Sequence, residues 1–207
     1  MGSAPAVNWE KKLNILTGAA SFEREDAHHS RYEATSYPVL ERLAQSGFIR
    51  REDTVVDYGC GKGRVGFFLN YALGCGAVGV EYNEALYGDA LKNLASYSGR
   101  DAGKVSFACV PAENYAPGSA NCFYFFNPFS VKILQAVLRR IFESYYDAPR
   151  EMRIFFYYAL DSYLACLMAE DGLEFAGEID CRDLFHNDDV REKILVFRIP
   201  APDQMPE

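Results

Sequence analysis

Short apolar runs and amphipathic stretches alternate along most of the chain, and this alternation predicts strands that alternate with helices. The predicted strands are residues 54–59, 76–82, 104–110, 120–128 and 152–159, and the predicted helices are residues 64–73, 83–98, 130–146 and 160–171. Asn83 and Ser130 begin two of these helical stretches and are expected to be their N-cap residues. Strands joined through helices pair in parallel, so the pattern predicts an α/β sheet covered by helices on both faces.

The C-terminal part of the chain departs from this alternation. Residues 173–181 and 193–200 read as two strands, and the polar stretch between them contains no predicted helix. These two strands are therefore expected to pair antiparallel. The fold class that follows is α/β: a seven-stranded, mostly parallel sheet with helices on both faces and an antiparallel last strand.

The N-terminal part of the chain predicts helices without strands. Residues 8–18 predict a short helix, and residues 37–48 predict a second one that Gly47 is placed to end. We expect residues 1–50 to form a helical cap and residues 51–207 to form the ligand-binding domain, together as one compact domain.

The composition indicates a folded protein with an acidic surface. Hydrophobic residues make up 49% of the 207 residues and aromatic residues 14%, which excludes a disordered chain. The formal net charge is −8, which disfavours nucleic acid and anionic membranes as partners. The sequence contains no apolar run long enough to span a membrane and no signal peptide, so a cytoplasmic protein is expected. The oligomeric state is not indicated.

The six cysteines predict free thiols in a reducing compartment, because no two of them form a CxxC pair. Only His28, His29 and His186 could add imidazole ligands, and they are not clustered with the cysteines. No metal site is expected.

A glycine-rich turn follows the first predicted strand. The stretch GKGRVG at 61–66 matches GxGxxG, and Glu81 lies 20 residues beyond its first glycine, which is the pattern of a dinucleotide site. This match does not start where the turn starts, however. The turn already begins at Gly59, and when GxGxxG is counted from Gly59, its third glycine position is occupied by Arg64. Asp57 would also face a pyrophosphate with like charge.

A carboxylate at the end of this strand suits a cationic group such as the ammonium of a methionine. The pattern D-x-G-x-G-x-G formed by Asp57, Gly59, Gly61 and Gly63 resembles motif I of the class I S-adenosylmethionine-dependent methyltransferases. The resemblance implies that these residues cradle the methionine part of S-adenosyl-L-methionine. It also implies that Glu81 holds both ribose hydroxyls, for which a carboxylate offers two acceptor oxygens.

The resemblance continues after the third predicted strand, where the family contacts the adenine ring. Many members carry an Asp at the position of Pro111, which has neither a side-chain acceptor nor a backbone donor. The adenine contacts would then fall to Ala112 and Glu113.

The fourth predicted strand ends in Asn127, Pro128 and Phe129, where the family keeps its catalytic motif. Amino-methylating members carry Asp/Asn-Pro-Pro-Tyr/Phe, so this chain retains the Asn, one Pro and an aromatic residue. An amide oxygen and the Pro carbonyl can accept hydrogen bonds from an amino group and aim its lone pair at the methyl carbon. Phe129 could stack on a substrate or shield a methylammonium. The simpler interpretation, a turn that starts the next helix, stays open.

The stretch before the sheet, residues 30–43, resembles the N-terminal cap of some non-SET protein-lysine methyltransferases. Its Tyr-x-x-Thr-x-Tyr pattern makes Tyr32, Thr35 and Tyr37 candidates for a cofactor lid. Packing of these side chains against the following helix is an equal alternative. Tyr157 and Tyr158 end the fifth predicted strand, at the edge of the sheet where ligands bind in open α/β folds.

The sequence therefore predicts a methyltransferase that uses S-adenosyl-L-methionine, with methylation of an amino group as the preferred reaction. The acceptor would be a protein lysine or a small-molecule amine. Two alternatives remain: an NAD(P)-dependent oxidoreductase, and a non-catalytic protein that binds S-adenosyl-L-methionine.

Overall fold

The computed structural model describes residues 7–18, 33–186 and 189–204, and these form seven strands and six α-helices. The strands are β1 (Thr54–Tyr58), β2 (Gly76–Glu81), β3 (Val105–Cys109), β4 (Cys122–Phe125), β5 (Met152–Tyr157), β6 (Glu174–Asp180) and β7 (Lys193–Ile199). The helices are α1 (Trp9–Leu13), α2 (Tyr37–Gln45), α3 (Arg64–Leu73), α4 (Glu84–Ser96), α5 (Val131–Asp147) and α6 (Asp161–Met168).

All seven strands belong to one sheet, in the order β3-β2-β1-β4-β5-β7-β6. Strands β1 to β5 pair in parallel, and β7 runs antiparallel to both of its neighbours, β5 and β6. The predicted fold class is therefore confirmed, including the antiparallel pairing of the last two strands. The chain leaves β1 toward β2 on one side and returns through β4 on the other, so the strand order reverses beside β1. Ligands bind at such reversal points in open α/β sheets, at the carboxyl ends of the strands.

Helices cover both faces of the sheet, as predicted. One face packs against α1, α2, α3 and the end of α4, and the other face packs against α5 and α6. All four residues of β4 are buried, which agrees with its nearly unbroken apolar sequence. The alternation of side chains along β1 decides which core each residue enters: Val55 faces the α3 side and Val56 faces the α5 side.

Helix boundaries follow the local signals closely. Asn83 is the N-cap of α4, and its side chain accepts hydrogen bonds from the backbone N–H groups of Ala85 and Leu86. Gly47 lies just beyond the end of α2 with φ of 79°, a left-handed conformation that glycine adopts freely. Ser130 stands at the N-cap position of α5 as expected, but its hydroxyl makes no capping bond.

The N-terminal helices share the core of the sheet. Leu13 of α1 and Leu40 and Leu43 of α2 are fully buried in the cluster that also contains Phe155 of β5. The division into a cap up to residue 50 and a domain from residue 51 stays a prediction. Apolar burial alone gives no boundary at that point, because the same cluster extends across it.

Candidate functional site

The candidate site lies at the carboxyl ends of β1, β2 and β4, beside the reversal point of the sheet. The turn after β1 begins with three glycines in left-handed conformations: φ is 76° at Gly59, 54° at Gly61 and 87° at Gly63. The backbone N–H groups of Gly59 and Cys60 donate to the carbonyl of Val80, at 2.8 and 3.1 Å. Because L side chains rarely adopt these φ values, glycine is what allows the turn to fold back over β2.

Gly59 also brings the turn after β1 against the turn after β4. A Cβ atom at Gly59 would lie 2.4 Å from Cβ of Pro128, closer than non-bonded carbons approach. The backbone of Gly59 and the ring of Pro128 are therefore in direct contact. The motif after β1 and the motif after β4, which are far apart in sequence, form one site.

Asp57 is a buried carboxylate at the end of β1. Only 4% of its surface is exposed, and within the described residues no group donates a hydrogen bond to it. Burial, together with the nearby charge of Glu81, raises the pKa of Asp57 to about 8. A buried carboxyl group with this environment fits a cationic ligand group that would compensate its charge.

Glu81 ends β2 on the other side of the turn and is also buried, at 5% exposed. Its Oε2 atom accepts a hydrogen bond from the backbone N–H of Gly61, and its Oε1 atom accepts one from that of Asn83, both at 2.9 Å. Each carboxylate oxygen can accept more than one hydrogen bond. The two backbone donors fix the orientation of the carboxylate, and the arrangement is suited to hold two neighbouring hydroxyl groups.

Arg64 follows the glycine turn and connects it to the N-terminal segment, by which we mean residues 7–18. Its guanidinium donates to Oγ1 of Thr17 at 2.7 Å and to the carbonyl of Thr35 at 3.1 Å, and it pairs with Glu10 at 3.1 Å. It also stacks over the ring of Tyr37, 4.7 Å from its centre. The side chain of Arg64 thus joins the start of α3 to the N-terminal segment and to Thr35.

The three predicted lid residues have different positions. Thr35 is buried, and its hydroxyl lies 2.9 Å from that of Tyr124, which is paired with Asp57 across β1 and β4. Tyr37 stacks on Trp9 and bonds to Glu10, so its ring packs within the cap. Tyr32 lies outside the described residues. A lid role for Thr35 and Tyr37 stays a prediction, and the contacts of Tyr37 are those of the packing alternative.

The turn after β4, the predicted acceptor turn (residues 126–129), contains a strained asparagine. Asn127 has φ of 44°, which is uncommon for a residue with a side chain, and its amide nitrogen donates to the carbonyl of Tyr158 at 2.7 Å. Tyr158 itself has φ of 54° at the end of β5. Strain of this kind concentrates at functional sites because surrounding contacts must maintain it. Phe129, in contrast, is 7% exposed and packs edge-on against Phe125 in the core, so its predicted contact with a substrate stays a prediction.

The predicted adenine residues form a single 3₁₀ turn, Ala112–Asn114, after β3. Ala112 packs against the core cluster on the α5 side, and the carbonyl of Glu113 accepts a hydrogen bond from Arg140 at 3.2 Å. Pro111 is the N-cap residue of the turn and offers no donor. Their contacts with an adenine ring stay a prediction.

Sequence reasoning missed the residues that the β6–β7 connection brings to this edge. The hydroxyl of Tyr157 donates to Glu192 at 2.6 Å, and that of Tyr158 donates to Asp189 at 2.5 Å. The sequence indicates the two tyrosines, because they end a predicted strand. It does not indicate the two carboxylates, because they lie in a polar stretch whose position depends on how β7 returns beside β5.

The described residues contain no group of three or more His, Cys, Asp or Glu side chains arranged to hold a metal ion. Every helix in the same part of the chain is too short or too polar to cross a bilayer.

Comparison with known proteins identifies the fold. No protein-family model matches the chain, and no curated protein matches it by sequence. Among solved structures, an RNA methyltransferase from Salinibacter ruber in complex with S-adenosyl-L-homocysteine is similar with a TM-score of 0.57 at 17% identity, over 84% of this chain and 97% of that one. An rRNA methylase from Streptococcus thermophilus has a TM-score of 0.54 at 16% identity, over 82% and 99%.

A third similar structure is a TehB-like SAM-dependent methyltransferase from Corynebacterium glutamicum, with a TM-score of 0.53 at 15% identity, over 78% of this chain and 87% of that one. These proteins share the strand and helix arrangement of this chain at low sequence identity. The chain has the Rossmann-like fold of the class I S-adenosylmethionine-dependent methyltransferases.

Proposed function

We propose that this protein is a methyltransferase that binds S-adenosyl-L-methionine at the turn after β1. The observation that carries the proposal is Asp57, a buried carboxylate without a cationic partner among the described residues. The ammonium of a methionine moiety would supply the missing positive charge, whereas a pyrophosphate would add a second negative charge. Gly59, Gly61 and Gly63 would let the backbone approach this part of the ligand closely.

The other cofactor contacts follow from the same geometry. Glu81, oriented by the backbone N–H groups of Gly61 and Asn83, would accept hydrogen bonds from the two ribose hydroxyls. Ala112 and Glu113 would border the adenine ring. S-adenosyl-L-methionine supplies an electrophilic methyl group when it is bound.

Asn127 would position the acceptor in this proposal, with a nitrogen atom as the preferred acceptor. The bond from its amide nitrogen to the carbonyl of Tyr158 fixes the plane of the amide, so that its oxygen has one defined direction. An amide oxygen and the carbonyl of Pro128 can both accept hydrogen bonds from an amino group. Holding the nitrogen in line with the bond that breaks can contribute a large share of the rate enhancement.

Charges along the carboxyl edge of the sheet favour a cationic acceptor. Three further carboxylates follow β2, β3 and β5 at this edge, and none of them has an ion-pair partner within the described residues: Glu84, Glu113 and Asp161. The arginines of the β6–β7 connection are already paired, Arg182 with Asp180 and Arg191 with Asp189. A protein lysine or a small amine would be attracted to this edge, and an RNA backbone would be repelled. Two of the similar structures are RNA methylases, so RNA belongs in the test as the competing acceptor.

The two rival functions make different use of the same site. A dinucleotide oxidoreductase would use the open parallel order 3-2-1-4-5-6, whereas here β7 runs antiparallel between β5 and β6. A non-catalytic binder of S-adenosyl-L-methionine would need Asp57 and Glu81 but not Asn127.

Calorimetric titration with S-adenosylhomocysteine tests the cofactor. Asp57→Ala and Glu81→Ala should each weaken binding by about 1–3 kcal/mol, the cost of a lost hydrogen bond to a charged group. Glu84→Ala is the matched control, because Glu84 is an exposed carboxylate near Glu81 and should leave the affinity unchanged. Binding of NADH in place of S-adenosylhomocysteine would favour the dinucleotide rival instead.

Transfer of a radiolabelled methyl group then tests the reaction. The acceptors to compare are a basic protein, a set of small amines and an RNA pool, each with wild type and Asn127→Ala. We expect labelling of an amine or a basic protein that falls with Asn127→Ala while the affinity for S-adenosylhomocysteine is retained. Labelling of RNA would correct the acceptor class, and tight binding without any transfer would favour the non-catalytic rival.

A further inference from the structure

The end of β5 is joined to both the acceptor turn and the β6–β7 connection. On one side, the amide nitrogen of Asn127 donates to the carbonyl of Tyr158 at 2.7 Å, and the rings of Phe126 and Tyr157 are 4.8 Å apart. On the other side, the hydroxyl of Tyr157 donates to Glu192 at 2.6 Å. Through these contacts Glu192 belongs to the acceptor side of the site, although 65 residues separate it from Asn127 in the sequence.

Glu192 is a buried acidic side chain without an ion-pair partner among the described residues. Only 7% of its surface is exposed, and Tyr157 is the one side chain in the described part of the chain that donates to it, at Oε2. No arginine or lysine among the described residues forms an ion pair with it. A buried carboxylate is expected to have a cation nearby, because desolvation of an unpaired charge is costly.

Arg191, the residue before Glu192 in the sequence, forms its ion pair with a different carboxylate. Arg191 pairs with Asp189 at 2.7 Å and lies over the ring of Tyr158, 4.5 Å from its centre. The same guanidinium donates to the hydroxyl of Tyr158 at 2.8 Å. Arg191 is therefore engaged by Asp189 and Tyr158, and the hydroxyl of Tyr157 is the only side-chain polar partner of the Glu192 carboxylate in the described residues.

Two strained backbone positions fix this arrangement. Asn127 and Tyr158 both have positive φ, and the hydrogen bond between them joins the ends of two adjacent strands. Such strain persists where surrounding contacts maintain a required geometry. Here it sets the direction in which the chain leaves β4 and β5, and with it the position of Tyr157 relative to the acceptor turn.

We propose that Glu192, held by the hydroxyl of Tyr157, is the carboxylate that binds the methyl acceptor while its amino group is an ammonium ion. That nitrogen has no lone pair, so it must release a proton to water before Asn127 and Pro128 can hold it for methyl transfer. The inference rests on the proposed function and deepens it, because it assigns the acceptor to the class of alkylammonium ions rather than neutral or anionic compounds. Tyr157, whose hydroxyl donates to Glu192, packs with its ring 4.8 Å from that of Phe126, so the carboxylate lies at the end of an aromatic pair, which suits an alkyl chain that carries a positive end.

The test uses n-butylammonium chloride as the probe and n-butanol as its neutral counterpart of the same length. Each is titrated into the isotope-labelled protein with and without S-adenosylhomocysteine, and dissociation constants are taken from the shifts of backbone amide signals. Wild type should bind the ammonium at least about tenfold more tightly than the alcohol, as expected for a hydrogen bond to a charged group. Glu192→Gln, which keeps the shape of the side chain, should abolish this preference. Tyr157→Phe should reduce it.

Glu178→Gln is the matched control. Glu178 lies on β6, is about half exposed and pairs with Lys193 at 2.8 Å, so the same change of charge there should leave the preference intact. All variants should retain their affinity for S-adenosylhomocysteine, which shows that they are folded and that the cofactor site is unchanged.

Equal affinity of wild type for the two probes, or a preference that persists in Glu192→Gln, would overturn the inference. Tighter binding of a single-stranded RNA oligonucleotide than of the ammonium would overturn it as well, in favour of a nucleic-acid acceptor. Failure of wild type to bind S-adenosylhomocysteine would instead remove the proposed function, and the titrations without that compound would still report on the carboxylate.

Discussion

The protonation state of Asp57 makes a quantitative prediction for the pH dependence of cofactor binding. Burial and the charge of Glu81 raise its pKa to about 8, so the carboxyl group is mostly protonated at neutral pH in the free protein. An ammonium ligand needs the ionised form. Binding should therefore release a proton below pH 8, and the affinity should rise with pH in that range.

The size of the effect follows from the fraction of protein that is ionised. With a pKa of about 8, only about one eleventh of Asp57 is ionised at pH 7 and about one hundredth at pH 6. The association constant for S-adenosylhomocysteine should fall about tenfold for each pH unit below 8. At still higher pH the amino group of the ligand loses its own proton, so the affinity should pass through a maximum.

Calorimetry across this pH range, in buffers of different ionisation enthalpy, measures both the affinity and the proton released. Methylthioadenosine is the control ligand, because it has the same ribose and adenine but no amino-acid part, and its affinity should not change with pH. In Asp57→Asn, the affinity for S-adenosylhomocysteine should no longer fall as the pH is lowered from 8 to 6. An affinity for S-adenosylhomocysteine that is constant between about pH 6 and 8, or an acidic limb that survives in Asp57→Asn, would refute the assignment of Asp57 to the ammonium.

Three further substitutions test the site through stability. The raised pKa of Asp57 means that its ionisation destabilises the fold as pH rises from about 4 to 8. Asp57→Asn removes this effect, so the free energy of unfolding measured in urea should increase by about 2–5 kcal/mol at pH 8 and by much less at pH 4. Arg64→Met removes the bonds to the cap, so hydrogen exchange in the N-terminal segment should accelerate, with a global loss of about 1–3 kcal/mol; unchanged exchange would contradict this role. Gly59→Ala should cost more than about 2 kcal/mol and disturb the acceptor turn, because its Cβ would meet Pro128. Gly47→Ala is its control, with a similar φ and no atom within 4 Å, and should cost only about 1 kcal/mol.

Local sequence signals predicted the elements of the fold well. The apolar run that ends at Asp57, the capping side chain of Asn83 and the glycine after α2 each act on a few neighbouring residues. The antiparallel pair at the end of the chain was predictable because no helix lies between its strands, and a tight connection leaves no room for a parallel crossover. These features depend on periodicity, turn chemistry and connection length, which a sequence displays directly.

The sequence was less informative about the direction of individual side chains. Phe129 stands in the motif after β4, and its ring packs edge-on against Phe125 in the core, a contact that the motif does not reveal. Tyr37 belongs to a pattern that suggested a lid, yet its ring packs against Trp9 and Arg64. In both cases an aromatic residue near a functional motif has two possible partners, and the packing of distant elements selects one of them.

By itself, the sequence determined the α/β fold, the position of the glycine turn and the presence of a carboxylate at the end of each of the first two strands. Those features follow from hydrophobic periodicity and from the backbone freedom of glycine, both of which are local. Only the tertiary structure decided that Arg64 holds the cap, that Gly59 contacts Pro128 and that Glu192 lies beside Tyr157. Each of these contacts joins residues from separate elements, and their distance is fixed by sheet order and strand register rather than by any pattern within one segment.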